Sequence, residues 1–209
     1  LGLCRDSKKQ LWLGIPVFYD GVLMDVRKYN LLKIQGEPKM KAEDGADNGF
    51  VIPYDIWKNS TTTTYLMEGE KDMLMARELG LNAITLTGGA GSTPNDLVIN
   101  EFKGRKVVIC YDNDEAGRSG AVGVYLKLRN IASDIKHVNI GDVVKENKED
   151  FYDFVHKYGG DVLDFLDLEE HAFDEDDLPK KIFTPIKKAL KENVIKQLLN
   201  AEVTVSARF

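Results

Sequence analysis

Cysteine and histidine are scarce in this chain: its 209 residues hold two of the first and three of the second. Cys4 and Cys110 cannot build a disulfide framework, and no Cys/His spacing approaches that of a structural zinc site. A reducing, cytoplasmic setting is the expectation. Long apolar runs are also missing. Val107–Tyr111 is among the longest, far below the roughly 20 residues of a membrane-spanning helix, and the N-terminus lacks the charged-then-apolar pattern of an export signal. No membrane is expected as a partner. The chain begins at Leu1, without an initiator methionine, and so reads as a piece of a longer protein.

Excess positive charge is the last absence. The net charge of −6 counts at first sight against nucleic acid. The deficit is local, however: residues 134–180 hold five basic and fifteen acidic side chains, against nine and eight in 1–60, eight and nine in 61–133, and six and two in 181–209. The total therefore says little about the surface the rest of the chain offers.

What is present is 43% apolar residues, enough to bury a core. The first sixty residues read as short strands separated by turns. Ile15–Tyr19 and Val22–Val26 flank Asp20-Gly21, a strong hairpin signal. A loop rich in Lys, Gly and Asp then leads to a short strand, Phe50–Ile52, Pro53 and the run Thr61–Thr64. From Tyr65 strands and helices alternate. Strands are expected at Tyr65–Met67, Ala83–Leu86, Lys106–Tyr111 and Ile135–Ile140, and helices at Glu70–Leu79, Asn95–Phe102, Glu115–Asn130 and Asp150–Lys157. Such alternation predicts a parallel α/β sheet flanked by helices. The acidic stretch Leu168–Pro179 reads as a linker, and Pro185–Leu199 as an amphipathic helix with Ile186, Leu190, Val194, Leu198 and Leu199 on one stripe.

In parallel sheets functional groups gather at the carboxyl ends of the strands. Glu68 closes one strand, Thr87-Gly88-Gly89-Ala90-Gly91-Ser92 follows the next, and Asp112-Asn113-Asp114 closes the third. Adjacent strands lie about 4.8 Å apart, so Glu68, Asp112 and Asp114 can meet. Clustered like charges are tolerated when a hard cation neutralises them, and Mg²⁺ suits a few carboxylates completed by water and phosphate oxygens. Acids on a solvated loop would share the same sequence.

The segments Glu68-Gly69-Glu70-Lys71-Asp72 and Tyr111-Asp112-Asn113-Asp114-Glu115-Ala116-Gly117-Arg118 resemble the TOPRIM domain of primases, topoisomerases and some nucleases. The variant is similar to the primase half of phage and mitochondrial primase–helicases and to bacterial primases. The resemblance spans about residues 65–155. It implies a TOPRIM-like sheet at 63–160, a small β-rich subdomain forming a nucleotide and template groove at 1–62, and an acidic linker with its helix at 161–209. It further implies a DNA primase fragment that makes short primers on single-stranded DNA from ribonucleoside triphosphates, with Mg²⁺ or Mn²⁺ and a replicative helicase in cis or in trans. A TOPRIM nuclease and a non-catalytic docking module for replication are the alternatives.

Under that resemblance Glu68, Asp112 and Asp114 are catalytic and hold metal, and Asp150 is a further metal-side acid, with Asp153 as its rival in Lys148-Glu149-Asp150-Phe151-Tyr152-Asp153. Arg27, Lys33, Lys39 and Arg118 bind triphosphate or template phosphate. Gly69 allows a sharp turn beside the metal, Gly88 and Gly89 allow a phosphate to approach the backbone, and Asp72 supports the site. Glu70 has no assigned role. Trp12 and Trp57 read as core residues.

Overall fold

The computed structural model describes residues 2–32, 34–144, 146 and 149–172. The first four strands, β1 (Gly2–Arg5), β2 (Leu11–Tyr19), β3 (Val22–Tyr29) and β4 (Met40–Lys41), form an antiparallel sheet in sequence order. Asp20 and Gly21 both have positive φ, 47° and 77°, which is the demand of a tight hairpin turn whose twist matches its strands. Alternation along β2 turns Ile15 and Val17 to one face, where both are buried, and Trp12, of the opposite parity, is buried on the other.

The chain then builds β5 (Val51–Ile52), α1 (Tyr54–Lys58), β6 (Thr64–Met67), α2 (Glu70–Glu78), β7 (Ala83–Leu86), β8 (Lys106–Cys110), α3 (Glu115–Leu128), β9 (Asp134–His137), α4 (Phe151–His156) and α5 (Val162–Glu170). The second sheet runs β5-β7-β6-β8-β9, parallel except for β5, which pairs antiparallel with β7. Every residue of β6 and β7 is buried, as in sheets covered on both faces. The strand at 51–52, grouped by sequence with the first sixty residues, is thus hydrogen-bonded into the second sheet. β7 lies on one side of β6 and β8 on the other, so the strand order reverses at β6. Such a switch point opens a crevice at the carboxyl ends of the strands.

Both sheets contribute to one core. Ile15 and Val17 of β2 join Leu66, Ile84 and Ile109 of the second sheet in the same apolar cluster. Tyr19 stacks on Tyr54, Tyr54 on Trp57 and Trp57 on Phe102, at centroid distances of 4.9, 6.3 and 4.7 Å. Trp12 and Trp57 are fully buried, in agreement with their reading as core. Both cysteines are free thiols. No helix among the described residues is long and apolar enough to cross a membrane.

Three expectations need correction. The helix expected at Asn95–Phe102 is a single 3-10 turn at Ile99–Phe102, because the Asn95 side chain accepts from the Leu97 N–H at 3.0 Å and holds the backbone in a turn. The acidic stretch does not start as a linker: residues 162–170 form α5, whose Phe165 is fully buried. Its start is set by Asp161 and Asp164, which cap each other's backbone reciprocally. Finally, α1 stands where only a turn and a polar run were expected. The stripe at 185–199 and Lys33 lie outside the described residues.

Candidate active site

Glu68 follows β6 and Asp112 follows β8, and those strands are neighbours with Met67 opposite Cys110. The two acids are therefore delivered to one edge by register alone. The Asp112 N–H donates to Glu68 Oε2 at 3.2 Å, and the Thr85 hydroxyl donates to the Glu68 carbonyl at 3.1 Å. Together with Arg27, Tyr29, Lys39, Met40, Gly69, Glu70, Lys71, Asp72, Gly88 and Gly89 they line a cleft of about 250 Å³ between the two sheets. Seven of the residues expected at the site thus meet in one place: Arg27, Lys39, Glu68, Gly69, Asp72, Gly89 and Asp112.

The electrostatics are those of crowded carboxylates. Burial, then the charges of Glu68, Asp72, Asp150 and Asp114, push the Asp112 carboxyl up to about 8. Burial and the Asp150 charge raise Asp72 to about 7 against the pull of Lys71. Glu68 is raised by burial and by Asp114 and Asp150, opposed by the Asp112 N–H and by Lys39. So many acids cannot all ionise without a counter-charge. Among the described residues, no three His, Cys, Asp or Glu side chains are disposed to hold a metal ion. The hard-oxygen pair Glu68 and Asp112 nevertheless fits Mg²⁺, which protein sites hold by one or two carboxylates together with substrate phosphates and water.

The remaining expected residues are placed as follows. Asp114 is the N-cap of α3, its Oδ1 accepting from the Gly117 N–H at 2.8 Å. Asp150 is the N-cap of α4, its Oδ1 accepting from the Asp153 N–H at 3.0 Å, while Oδ2 is ion-paired with Lys71. Asp153 closes the reciprocal cap, so of the two rivals Asp150 is the one facing the acid cluster, with its oxygens already engaged. Arg118 is exposed on the first turn of α3, with Nη1 3.5 Å from Asn113 Oδ1, and is outside the lining of the cleft. Gly69 has φ −127° and ψ 164°, an extended conformation open to any residue, so the sharp turn expected of it is not made. Gly88 and Gly89, with φ of 99° and 65°, do need glycine.

Several contacts were invisible to sequence reasoning. Glu70, which had no assigned role, is buried and accepts from Arg27 Nε at 3.2 Å, tying β3 to α2. Lys71 bonds Asp150 and lies over the Tyr152 ring. Asp72 accepts from the Tyr152 N–H at 3.1 Å. Gly117 leaves no space for a side chain, since a Cβ there would stand 2.3 Å from the Asp112 carbonyl oxygen and 2.9 Å from Glu68 Oε2. The motif contained Gly117, but only packing reveals its purpose.

Residues 65–155 match the family model described as Toprim-like. The chain is 26% identical over 159 residues to a DNA primase of Clostridium acetobutylicum, an alignment covering 76% of this chain and 25% of that protein. It therefore spans a quarter of the length of that relative. Among solved structures, the zinc-binding and RNA polymerase domains of the Aquifex aeolicus primase superpose with a TM-score of 0.59 at 18% identity, covering 93% of this chain and 48% of that one. The primase fragment of the bacteriophage T7 primase–helicase gives 0.55 at 14% identity, covering 79% and 65%. At such identities the structures speak for the fold. Residues 65–155 are thus similar to Toprim-like domains, the chain is similar in sequence to a bacterial DNA primase, and its fold is like that of the solved primases.

Proposed function

We propose that this chain is the catalytic part of a DNA primase, joining ribonucleotides into short primers on single-stranded DNA. The observation that carries the reading is the cleft itself, where acids from two neighbouring parallel strands face Arg27 and Lys39 from the antiparallel sheet. A triphosphate brings negative charge to that place, and the acids require positive charge there.

In this reading residues 1–62 supply the basic wall of the groove and residues 63–160 the acidic one. Arg27 and Lys39 bind the triphosphate, the first as a fork and the second as a point charge. Lys33 is the further basic residue expected to bind phosphate. Gly88 and Gly89 present bare backbone to a phosphate, Gly69 leaves room beside Glu68, and Arg118 meets template phosphate at the start of α3. Glu68 and Asp112 would hold Mg²⁺ or Mn²⁺, and Asp114, whose Oδ1 caps α3, adds its charge beside them. When bound, such a cation lowers the pKa of an attacking hydroxyl and offsets charge on the departing pyrophosphate. Asp72 and the Lys71–Asp150 pair keep α4 against the site, so Asp150 contributes through Lys71. A replicative helicase is the expected partner in cis or in trans.

The test is template-dependent incorporation of labelled ribonucleotides on single-stranded DNA with Mg²⁺ or Mn²⁺. Asp112→Ala is expected to lower it by at least ~100-fold, the scale of losing a main electrostatic element. Unchanged incorporation in that variant would reject the mechanism, and cleavage of labelled DNA without nucleotides would point to a nuclease.

A further inference from the structure

Arg27 is the most buried cation lining the cleft, with a side chain 10% exposed. A guanidinium has five N–H donors, and among the described residues only the Nε–H is spent, on Glu70 Oε1 at 3.2 Å. Nη1 faces Asp25 Oδ2 at 3.9 Å, beyond hydrogen-bond reach, and that oxygen is itself buried without a hydrogen-bond partner. Burying a cation with most of its donors idle is costly.

The grip on Nε decides which edge of the planar group stands open. Glu70 lies in the first turn of α2, two residues after Glu68, and is itself buried. Arg27 and Glu70 line the same cleft as Glu68 and Asp112. Resting on the primase reading of the cleft, we propose that Glu70 is a positioning residue. It holds Arg27 by Nε so that the Nη edge forms a fork for a phosphate of the incoming ribonucleoside triphosphate, with Asp25 steadying the plane from behind.

The experiment measures ATP affinity in the presence of Mn²⁺, and Mn²⁺ affinity without nucleotide, by calorimetry on the full chain. Arg27→Ala and Glu70→Ala should each weaken ATP binding ~10-fold, the loss of a charge-assisted fork. The double variant should lose no more than either alone, because both act through one contact. Glu70→Gln, which still accepts from Nε, should stay within about threefold of the parent. Mn²⁺ affinity should be unchanged throughout. If Glu70→Ala does not fold, Glu70→Asp, one methylene shorter, should show the loss in its place. Parent-like ATP affinity in a folded Glu70→Ala or Glu70→Asp protein, or additive losses in the double variant, would overturn the proposal. A parent protein that binds no ATP at all would overturn the primase reading, and this proposal with it.

Discussion

Asp112 concentrates the tension of the site, since burial and then the charges of four other carboxylates raise its pKa to about 8. Relieving that repulsion should stabilise the metal-free fold. Asp112→Asn is expected to raise the unfolding free energy in EDTA by ~1 kcal/mol while removing activity, the usual exchange between stability and function at a strained site. Chemical denaturation with and without Mg²⁺ checks both halves. His137, remote from this cluster in role, gives a signature of opposite sign. Burial holds its imidazole at about 4, against 6.5 when solvated. As pH falls the unfolded chain takes up the proton first. The stabilisation from the neutral ring is therefore complete above about 6.5 and is lost progressively toward 4. The urea midpoint should fall between neutral pH and about 5 more steeply in the parent than in His137→Gln. The shared edge of Glu68 and Asp112 was legible in the sequence because each follows a strand, and strand ends share an edge. Arg27 and Glu70 were not legible as a pair, because 43 residues separate them and nothing local distinguishes their charges from the other ions of the chain.

At the scale of elements, the turn from Glu68 to Asp72 acts as a junction. Glu68 touches the turn after β8, Glu70 touches β3, Lys71 meets the cap of α4, and Asp72 receives an N–H from inside α4. Four side chains in five residues thus fix three different pieces, α4 twice. The start of α3 is seated just as closely, with no clearance at Gly117. Gly117→Ala should cost ~1–3 kcal/mol through overpacking and weaken Mn²⁺ binding by displacing Asp112, as thermal unfolding and calorimetry would report. The parallel core was readable from its strand–helix alternation. α5 was not, because Asp161, Asp164, Asp167, Glu169 and Glu170 mask a short apolar stripe around Phe165. That stripe packs on Tyr65, Phe151 and Phe154. Phe165→Ala should therefore cost ~3–5 kcal/mol, the price of emptying a buried aromatic site, measured as a shift in urea midpoint.

For the molecule as a whole, the charge balance tells a consistent story. The surplus of acid lies in residues 134–180, while the cleft between the sheets carries Arg27 and Lys39, with Arg118 exposed nearby on α3. With Arg118 alone of these three meeting template phosphate, the logarithmic salt dependence of single-strand binding should have a slope of about −0.7. Fluorescence anisotropy over a salt series would measure it, and a much steeper slope would locate the contacts elsewhere. The shared apolar interior of the two sheets carries a further meaning. With Ile15 and Val17 anchored beside Leu66 and Ile84, and Arg27 bolted to Glu70, the jaws of the cleft belong to one solid body. Such an opening works as a fixed gauge and admits only what already fits. Ligand capture should then proceed without domain closure, leaving the small-angle scattering profile of the protein unchanged on saturation with nucleotide.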